Sequence, residues 1–399
     1  MRSESMKVPL RRQAVLDRVA VLRSRTGRRY PCAVLDGGFA TELERMGHDL
    51  SAGATGGEWS AAIVRTAPDD VQRVHERFLE AGADILTCAT YQASTETIPA
   101  AVKLLGQAID RMGIDTSTVL RAASLGPLAA SLGDGREYRG YADTSVFANG
   151  TEAARCEFRR FHETRLRQCL PFLEETSSEM DRFESGAVSA LDLVLFETIP
   201  DAVEAETITL MMTHEPAFEN IPWAISLQCR PPQTGLEATT PSEPQLAGGG
   251  PVSSVVDRLL SLGFGRNSES DTHNGPLFIG FNCCPPSLIR PILESLHRCI
   301  HPLARQLTQP RSPVAMRNDA STVAVSSFAG WAVYPNSGEV WDPSTKRWGR
   351  PASAALDPSQ ESFWQHHVPE WCVLGASIIG GCCRVGPEAI RALTRVVHG

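Results

Sequence analysis

The feature of this sequence that most limits its fold is a series of eight short, nearly continuous apolar runs that each end in polar residues. Such runs are typical of parallel strands that are buried on both faces. Helical segments lie between them; one opens with Pro68 and has Asp69 and Asp70 in its first turn. Eight strand–helix units predict an α/β fold of the (β/α)8 TIM barrel class, with loop insertions. The runs lie at 33–35, 85–88, 122–125, 193–196, 223–227, 277–281, 331–334 and 376–379.

The domain organisation follows from this pattern. We predict one barrel domain over residues 31–399, because α/β barrels often exceed about 250 residues as one domain. Polar or Pro- and Gly-rich stretches indicate insertions near residues 229–256, 300–327 and 344–368.

Residues 1–30 are strongly basic, with nine Lys and Arg against two acidic residues. An Arg-rich, acid-poor N-terminus is typical of a mitochondrial transit peptide. The helical spacing of Val15, Val19 and Leu22 instead favours a leading helix of the barrel domain. The sequence therefore allows either a basic extension or a leading helix.

Charge and hydropathy exclude several functional classes. The net charge of -8 argues against a nucleic-acid-binding surface. No apolar run approaches the roughly 18–20 residues that span a bilayer. The chain has 11 Cys and no secretory signal, which indicates free or metal-bound thiols in a reducing compartment such as the cytoplasm. We expect small-molecule substrates, and no feature predicts an oligomeric state.

Three cysteines follow two of the predicted strands. Cys283 comes after the sixth, and the adjacent pair Cys382 and Cys383 comes after the eighth. Strand ends converge at one mouth of a barrel, so three thiolates there can form three corners of a tetrahedron. Zinc with three protein ligands and one open position is a catalytic arrangement. The alternative is ordinary burial, since free cysteine is among the most buried residue types.

Acidic residues follow two other strands. Asp36 precedes Gly37 and Gly38 after the first strand, and Glu197 follows the fourth. If the two acids converge, they form a docking point for an α-amino group, and the glycine N–H groups can bind a carboxylate. The alternatives are an Asx turn at Asp36 and a salt bridge or helix-cap interaction at Glu197.

These segments together resemble the homocysteine S-methyltransferase family, from Leu35 to near the C-terminus. Ordered motifs carry the resemblance: Asp36-Gly37-Gly38-Phe39-Ala40-Thr41-Glu42-Leu43, Ala81-Gly82-Ala83-Asp84, Thr90-Tyr91-Gln92-Ala93-Ser94, Phe196-Glu197-Thr198-Ile199-Pro200, Gly280-Phe281-Asn282-Cys283, Tyr334-Pro335-Asn336-Ser337-Gly338-Glu339 and Gly380-Gly381-Cys382-Cys383.

The resemblance implies a site as well as a fold. It implies Zn2+ on Cys283, Cys382 and Cys383, although Cys284 adds ambiguity beside the first of these. It also implies an amino-acid site at Asp36 and Glu197. The remaining residues expected to bind substrate are Gly37, Gly38, Thr90 and Asn282.

The implied reaction is zinc-dependent methyl transfer from a sulfonium donor, S-methylmethionine or S-adenosylmethionine, to the thiol of L-homocysteine, giving methionine. The alternatives are a different thiol or selenol acceptor, a betaine-type donor, and a non-catalytic protein that binds homocysteine or zinc. A barrel hydrolase with an accidental cysteine cluster is a further alternative.

Overall fold

The protein is described by a computed structural model that covers residues 8–51, 57–142, 144–173, 191–232, 243–264, 274–299, 328–342, 347–349 and 357–399. Eight buried strands form its centre. Each begins or ends within a few residues of a predicted apolar run. The strands are β1 (Ala33–Val34), β2 (Ile85–Thr87), β3 (Leu120–Leu125), β4 (Leu193–Ile199), β5 (Trp223–Arg230), β6 (Ile279–Asn282), β7 (Trp331–Tyr334) and β8 (Ala376–Ile379).

The eight strands are parallel and form a ring. Each strand pairs with its neighbours in sequence, and β1 also pairs with β8. A bridge between Leu35 and Ile85 closes the ring between β1 and β2, and the Asp36 N–H donates to the Ile85 carbonyl at 3.0 Å. The predicted (β/α)8 barrel is confirmed.

Helices surround this barrel. The helix from Pro68 begins as predicted, with Pro in its first turn and Asp69 and Asp70 near the positive end of the helix dipole. None of the helices in the described ranges is both long and apolar enough to cross a membrane. The α-helices are Val8–Arg23, Phe39–Arg45, Ile63–Thr66, Pro68–Glu80, Ile98–Arg111, Leu128–Ser131, Thr151–Leu173, Ala202–His214, Val252–Phe264, Pro286–Cys299, Glu361–Val373 and Pro387–His398. Short 3-10 helices span Trp59–Ala62, Thr116–Thr118, Arg136–Tyr138 and Ser145–Phe147.

Regular structure extends into two of the ranges predicted as insertions. In 229–256, strand Gln245–Leu246 pairs antiparallel with the end of β5, and helix Val252–Phe264 begins. In 344–368, strand Arg347–Gly349 forms a hairpin with Val340–Asp342, and helix Glu361–Val373 begins. The buried Trp364, Val368 and Trp371 of this helix have helical spacing, which the nearby prolines obscured. The range 300–327 lies outside the described residues.

The N-terminal helix, Val8–Arg23, packs against the end of the barrel where the strands begin. Its apolar side chains are buried in one cluster with interior residues of the strands, among them Leu120 and Leu193. The helix thus closes the barrel opposite the carboxyl ends of the strands. Its buried apolar residues are Val15, Leu16, Val19 and Leu22.

Arginines of the N-terminal segment bind the starts of the strands. Arg11 donates to the Leu191 carbonyl at 3.3 Å, just before β4. Arg23 donates to the Ala329 carbonyl at 3.2 Å, just before β7. Arg25 forms an ion pair at 2.9 Å with Asp84, which precedes β2. The basic composition that resembles a transit peptide therefore serves the barrel over these residues.

We predict that Leu22→Ala destabilises the protein by about 2–5 kcal/mol, because Leu22 is buried between the N-terminal helix and the strands. Val21→Ala is the matched control: Val21 is 62% exposed on the same helix, so its loss should change the free energy of unfolding by less than about 0.5 kcal/mol. Urea denaturation measures both. Equal, small effects of the two substitutions would show that the helix does not close the barrel.

Candidate active site at the carboxyl ends of the strands

A cavity lies at the carboxyl ends of the strands, with about 850 Å³ of space between the protein atoms, including solvent at its mouth. Seven of the residues predicted from the sequence line it, although they come from four different strand ends. They are Asp36, Gly37, Gly38, Glu197, Cys283, Cys382 and Cys383.

The three cysteines predicted as metal ligands are neighbours. Their Sγ atoms all lie within 4.8 Å of one another. The structure joins Cys283 to Cys382 as a disulfide, and the Sγ of Cys383 lies 3.4 Å from that of Cys283. The neighbouring Cys284 is buried and does not belong to this group of sulfurs. Once reduced, Cys283, Cys382 and Cys383 are close enough to share one metal ion.

The electrostatic setting of the sulfurs favours a bound cation. Burial raises the pKa of the Cys383 thiol to about 12, and the nearby carboxylates of Glu137 and Glu44 act in the same direction. A thiolate is therefore unfavourable here unless a positive charge compensates for it. A metal ion on the three sulfurs supplies that charge, so this donor set fits zinc.

The backbone around the sulfurs has an unusual conformation. Cys283, Thr198 and Arg384 have positive φ angles of 52°, 62° and 68°, in the left-handed region that non-glycine residues rarely adopt. Hydrogen bonds hold Arg384 in place: its N–H donates to Thr41 Oγ1 at 2.8 Å, and its Nε donates to Glu339 at 2.9 Å. The loop that carries Cys382 and Cys383 is therefore fixed from two sides.

Gly37 and Gly38 serve close packing. A Cβ atom on Gly37 would lie 2.2 Å from the Val385 carbonyl oxygen, and one on Gly38 would lie 2.7 Å from the Cys382 carbonyl oxygen. The Gly38 N–H donates to the Val385 carbonyl at 2.8 Å. This N–H thus holds β1 against the loop after β8, and a role of the two glycines in binding a substrate carboxylate stays a prediction.

Asp36 and Glu197 form the acidic pair predicted from the sequence. Oδ2 of Asp36 accepts the Thr87 N–H at 2.7 Å, and Glu197 accepts a hydrogen bond from the Ser124 hydroxyl. Burial raises the pKa of Glu197 to about 7. Burial also raises the pKa of Asp36 well above its usual value, and the charge of Glu197 adds to this shift. An ammonium group between the two acids would stabilise both carboxylates.

Thr90 and Asn282, which the sequence predicts to bind substrate, form hydrogen bonds with other parts of the protein. Neither lines the cavity. Thr90 Oγ1 donates to the Ser124 carbonyl at 2.6 Å. The Asn282 amide oxygen accepts from the Thr198 N–H at 3.0 Å and from Ser226 Oγ at 2.7 Å, while its nitrogen lies 3.7 Å from Cys382 Sγ. These bonds engage the polar atoms of both residues with neighbouring protein groups, and contact of Thr90 or Asn282 with substrate stays a prediction.

The cavity is also lined by residues to which the sequence analysis assigned no role. Its lining includes the carboxylates of Glu44 and Glu137 in addition to Asp36 and Glu197, and no Lys, Arg or His among the described lining residues. Glu44 lies in helix Phe39–Arg45 and Glu137 in the 3-10 helix Arg136–Tyr138, and neither directly follows a predicted apolar run. Five aromatic rings complete the wall: Phe39, Trp59, Tyr91, Tyr138 and Tyr334.

A buried polar network supports the loop after β3. Glu204 accepts the Leu128 N–H at 2.8 Å and the Tyr141 hydroxyl at 2.7 Å, and it lies 2.9 Å from His162 Nε2. The loop between Leu128 and Tyr141 carries Tyr138, whose hydroxyl lies 4.0 Å from Cys283 Sγ and 3.8 Å from Cys383 Sγ. The network therefore fixes a hydroxyl group beside the sulfurs.

Comparison with known proteins agrees with this geometry. The family model described as Homocysteine S-methyltransferase matches residues 33–397, which include all eight strands of the barrel. The chain belongs to the homocysteine S-methyltransferase family. The family and the enzyme class that the sequence motifs predict are thereby confirmed.

Relatives of this homocysteine S-methyltransferase family member match it over nearly their whole length. Homocysteine S-methyltransferase 1 of Zea mays is 30% identical, and the match covers 96% of this chain and 99% of that protein. Homocysteine S-methyltransferase YbgG of Bacillus subtilis is 29% identical over 91% of this chain and 94% of that protein. The crystal structure of the metallated form of the homocysteine methyltransferase MmuM from Escherichia coli is 25% identical, with a TM-score of 0.59 over 97% of this chain and 99% of that chain.

We predict that Glu197→Gln makes the protein more stable than the wild type at high pH. The unfolded chain loses the Glu197 proton near its ordinary value of 4.5, whereas the folded chain keeps it up to about pH 7. The folded wild type binds more protons in this window, so it loses stability as the pH rises. The advantage of the variant should grow by about 2–3 kcal/mol between pH 5 and pH 8.

Urea denaturation of metal-free protein across this pH range measures the difference. Glu152→Gln is the control, because the Glu152 side chain is 90% exposed and its removal should give no pH-dependent difference. A constant offset between Glu197→Gln and the wild type would contradict the raised pKa.

Proposed function

We propose that the chain catalyses zinc-dependent methyl transfer from a sulfonium donor to the thiol of L-homocysteine, giving methionine. The observation that carries this proposal is one cavity lined by both three clustered sulfurs and two buried carboxylates. The two groups match the two ends of homocysteine, a thiol and an amino-acid group. The names of the relatives support the same acceptor.

The acidic pair is proposed to hold the ammonium group of homocysteine. Asp36 and Glu197 are buried, and no cationic side chain lines the described part of the cavity. A buried carboxylate without a cation is costly. The substrate ammonium supplies the missing charge and donates hydrogen bonds to both acids. This fixes the acceptor with its thiol directed towards the sulfur cluster.

Cys283, Cys382 and Cys383 are proposed to hold zinc. Zinc, when bound, lowers the pKa of a thiol that joins it and so makes a thiolate available at neutral pH. Cys283 and Cys382 must be reduced to act as ligands, which favours the cytoplasm as the location. The structures of MmuM from Escherichia coli in a metallated form and in an oxidized form are consistent with two states of such a site.

The remaining residues of the cavity orient the two substrates. A sulfonium donor is already a cation and leaves as a neutral thioether, so the step needs no general acid. Alignment of the acceptor sulfur, the methyl group and the leaving sulfur can lower the barrier by several kcal/mol, up to about 7–11. Trp59 and Tyr91, whose ring centroids lie 6.1 Å apart, supply a rigid apolar wall that excludes water from this line.

The charge of the cavity favours a cationic donor. Four carboxylates and five aromatic rings line it, and cations are stabilised by both. Of the donors weighed, S-methylmethionine and S-adenosylmethionine are sulfonium cations that carry an amino-acid group. Betaine is a quaternary ammonium cation and is the alternative that this observation leaves open.

We predict that Cys283→Ser, Cys382→Ser and Cys383→Ser each lose zinc, because each removes one of three ligands. Cys284→Ser is the matched control and should retain zinc, since its thiol is outside the group. Elemental analysis of reduced, purified protein measures the metal. Zinc retention in Cys283→Ser together with its loss in Cys284→Ser would reassign the first ligand.

We predict that reduced, zinc-loaded protein forms methionine from homocysteine with S-methylmethionine or S-adenosylmethionine. Chelation should abolish the activity and added zinc should restore it. Chromatographic detection of methionine measures the reaction, and betaine is run in parallel. Methionine from betaine alone would assign a betaine-type donor; if no donor gives methionine, the non-catalytic binding protein becomes the better proposal.

A further inference from the structure

Glu137 is a cavity carboxylate with one oxygen, Oε2, that lacks a hydrogen-bond partner among the described residues. It lies in the short helical turn Arg136–Tyr138 and lines the cavity. Its Oε2 atom is buried and accepts no hydrogen bond from any described residue. The other acids of the cavity each have a partner: Asp36 binds Thr87, Glu197 binds Ser124, and Glu44 lies 3.7 Å from Arg384.

A carboxylate in this position calls for a cation from outside the protein. Desolvation by burial raises the pKa of Glu137 to about 7, and the charge of Asp134 acts in the same direction. Leaving a buried acceptor unpaired costs about 1–3 kcal/mol, more for a charged group. The lining offers no Lys, Arg or His among the described residues. A ligand with a hydrogen-bonding cation would relieve this cost.

Glu137 is separate from the acidic pair that serves the acceptor. Its charge raises the pKa of Tyr91 and of the Cys383 thiol, so it lies towards the aromatic and sulfur side of the cavity. The charge of Glu197 also reaches Tyr91 and Cys383, but the position in the fold differs: Asp36 follows β1 and Glu197 lies in β4, whereas Glu137 lies in the short helical turn after β3. Tyr138, the next residue along the chain, has its hydroxyl within 4.0 Å of two of the sulfurs. Glu137 is therefore placed beside the region that the donor must enter.

The chemistry of the donor decides which cation fits. A sulfonium centre has no N–H group and must face the attacking sulfur in line. An α-ammonium group has three N–H donors and lies at the other end of a short, flexible chain. A buried carboxylate oxygen without a hydrogen bond is matched by the ammonium.

We propose that Glu137 binds the α-ammonium group of an amino-acid sulfonium donor and so selects donors that carry it. This inference rests on the proposed methyl transfer from a sulfonium. It implies two carboxylate sites for two amino-acid substrates, one at Asp36 and Glu197 for the acceptor and one at Glu137 for the donor. A donor without a primary ammonium group gains nothing from Glu137.

The test compares Glu137→Gln with the wild type on two donors. One is S-methylmethionine, and the other is its des-amino analogue, 4-(dimethylsulfonio)butanoate, which keeps the same sulfonium and carboxylate. The variant should lose roughly 10- to 100-fold in kcat/KM for S-methylmethionine, as expected for one hydrogen bond between charged groups. Its kcat/KM for the des-amino donor and its KM for homocysteine should stay within about twofold of the wild-type values.

Asp134→Asn is the matched control, because Asp134 lies in the same loop and is paired with Arg136 at 2.6 Å. It should keep the donor selectivity of the wild type. Glu137→Asp provides a second variant, in which a retained but shortened carboxylate should give an intermediate loss. If Glu137→Gln does not fold, the donor preference of the wild type decides, and equal use of the two donors overturns the inference.

Other outcomes separate this inference from the proposed function. Equal losses in kcat/KM on both donors would show that Glu137 acts on the sulfonium or on the loop. A raised KM for homocysteine would place Glu137 in the acceptor site. Either result overturns the inference and leaves the proposed methyl transfer intact. Failure of the wild type to use any sulfonium overturns the proposed function. Calorimetric titration of S-methylmethionine then tests Glu137 directly, and equal affinity of the wild type and Glu137→Gln overturns the inference.

Discussion

The contact between the end of β1 and the end of β8 is the constraint on which the site depends. The Leu35 N–H donates to the Ile379 carbonyl at 2.9 Å, and the Gly381 N–H donates to the Asp36 carbonyl at 3.0 Å. A Cβ atom on Gly380 would lie 2.7 Å from the Leu35 carbonyl oxygen, so a side chain there would force the strand ends apart. The same backbone contact closes the barrel and places Asp36, which follows β1, near Cys382 and Cys383, which follow β8.

The cavity that results is electrostatically unfavourable without its ligands. Asp36 and Glu197 share a buried space, and burial holds the pKa of both above their usual values. Cys383, which is partly buried, lines the same cavity, and desolvation raises the pKa of its thiol as well. Groups of this kind destabilise the free protein when they ionise, and a bound cation reverses the effect. In the proposed function, this cost at the strand ends favours the binding of a positively charged substrate group.

The sequence predicted what depends on the strands and missed what depends on the loops. Asp36, Glu197 and the cysteines directly follow apolar runs, so the barrel rule places them at one mouth. Glu137 and Trp59 reach the cavity from segments with no periodic signal, and their position depends on tertiary packing such as the buried network around Glu204. At the N-terminus, the helical spacing of Val15, Val19 and Leu22 predicted a leading helix, and these side chains are buried against the strands.

This division between strands and loops has a functional consequence. The acceptor groups and the sulfurs lie at strand ends, which hydrogen bonds between neighbouring strands hold in a fixed register. The groups assigned to the donor lie on the loops after β1 and β3, where a barrel tolerates substitution without loss of its core. Under the proposed function, a change of donor would then involve positions such as Trp59 and Glu137, which line the cavity from these loops. A change of acceptor would require Asp36 or Glu197 to move, and both are held by neighbouring strands through Thr87 and Ser124. In the proposed reaction, the sulfurs and the acceptor groups are thus fixed by the barrel, whereas the groups proposed to meet the methyl donor lie on loops, where substitution is better tolerated.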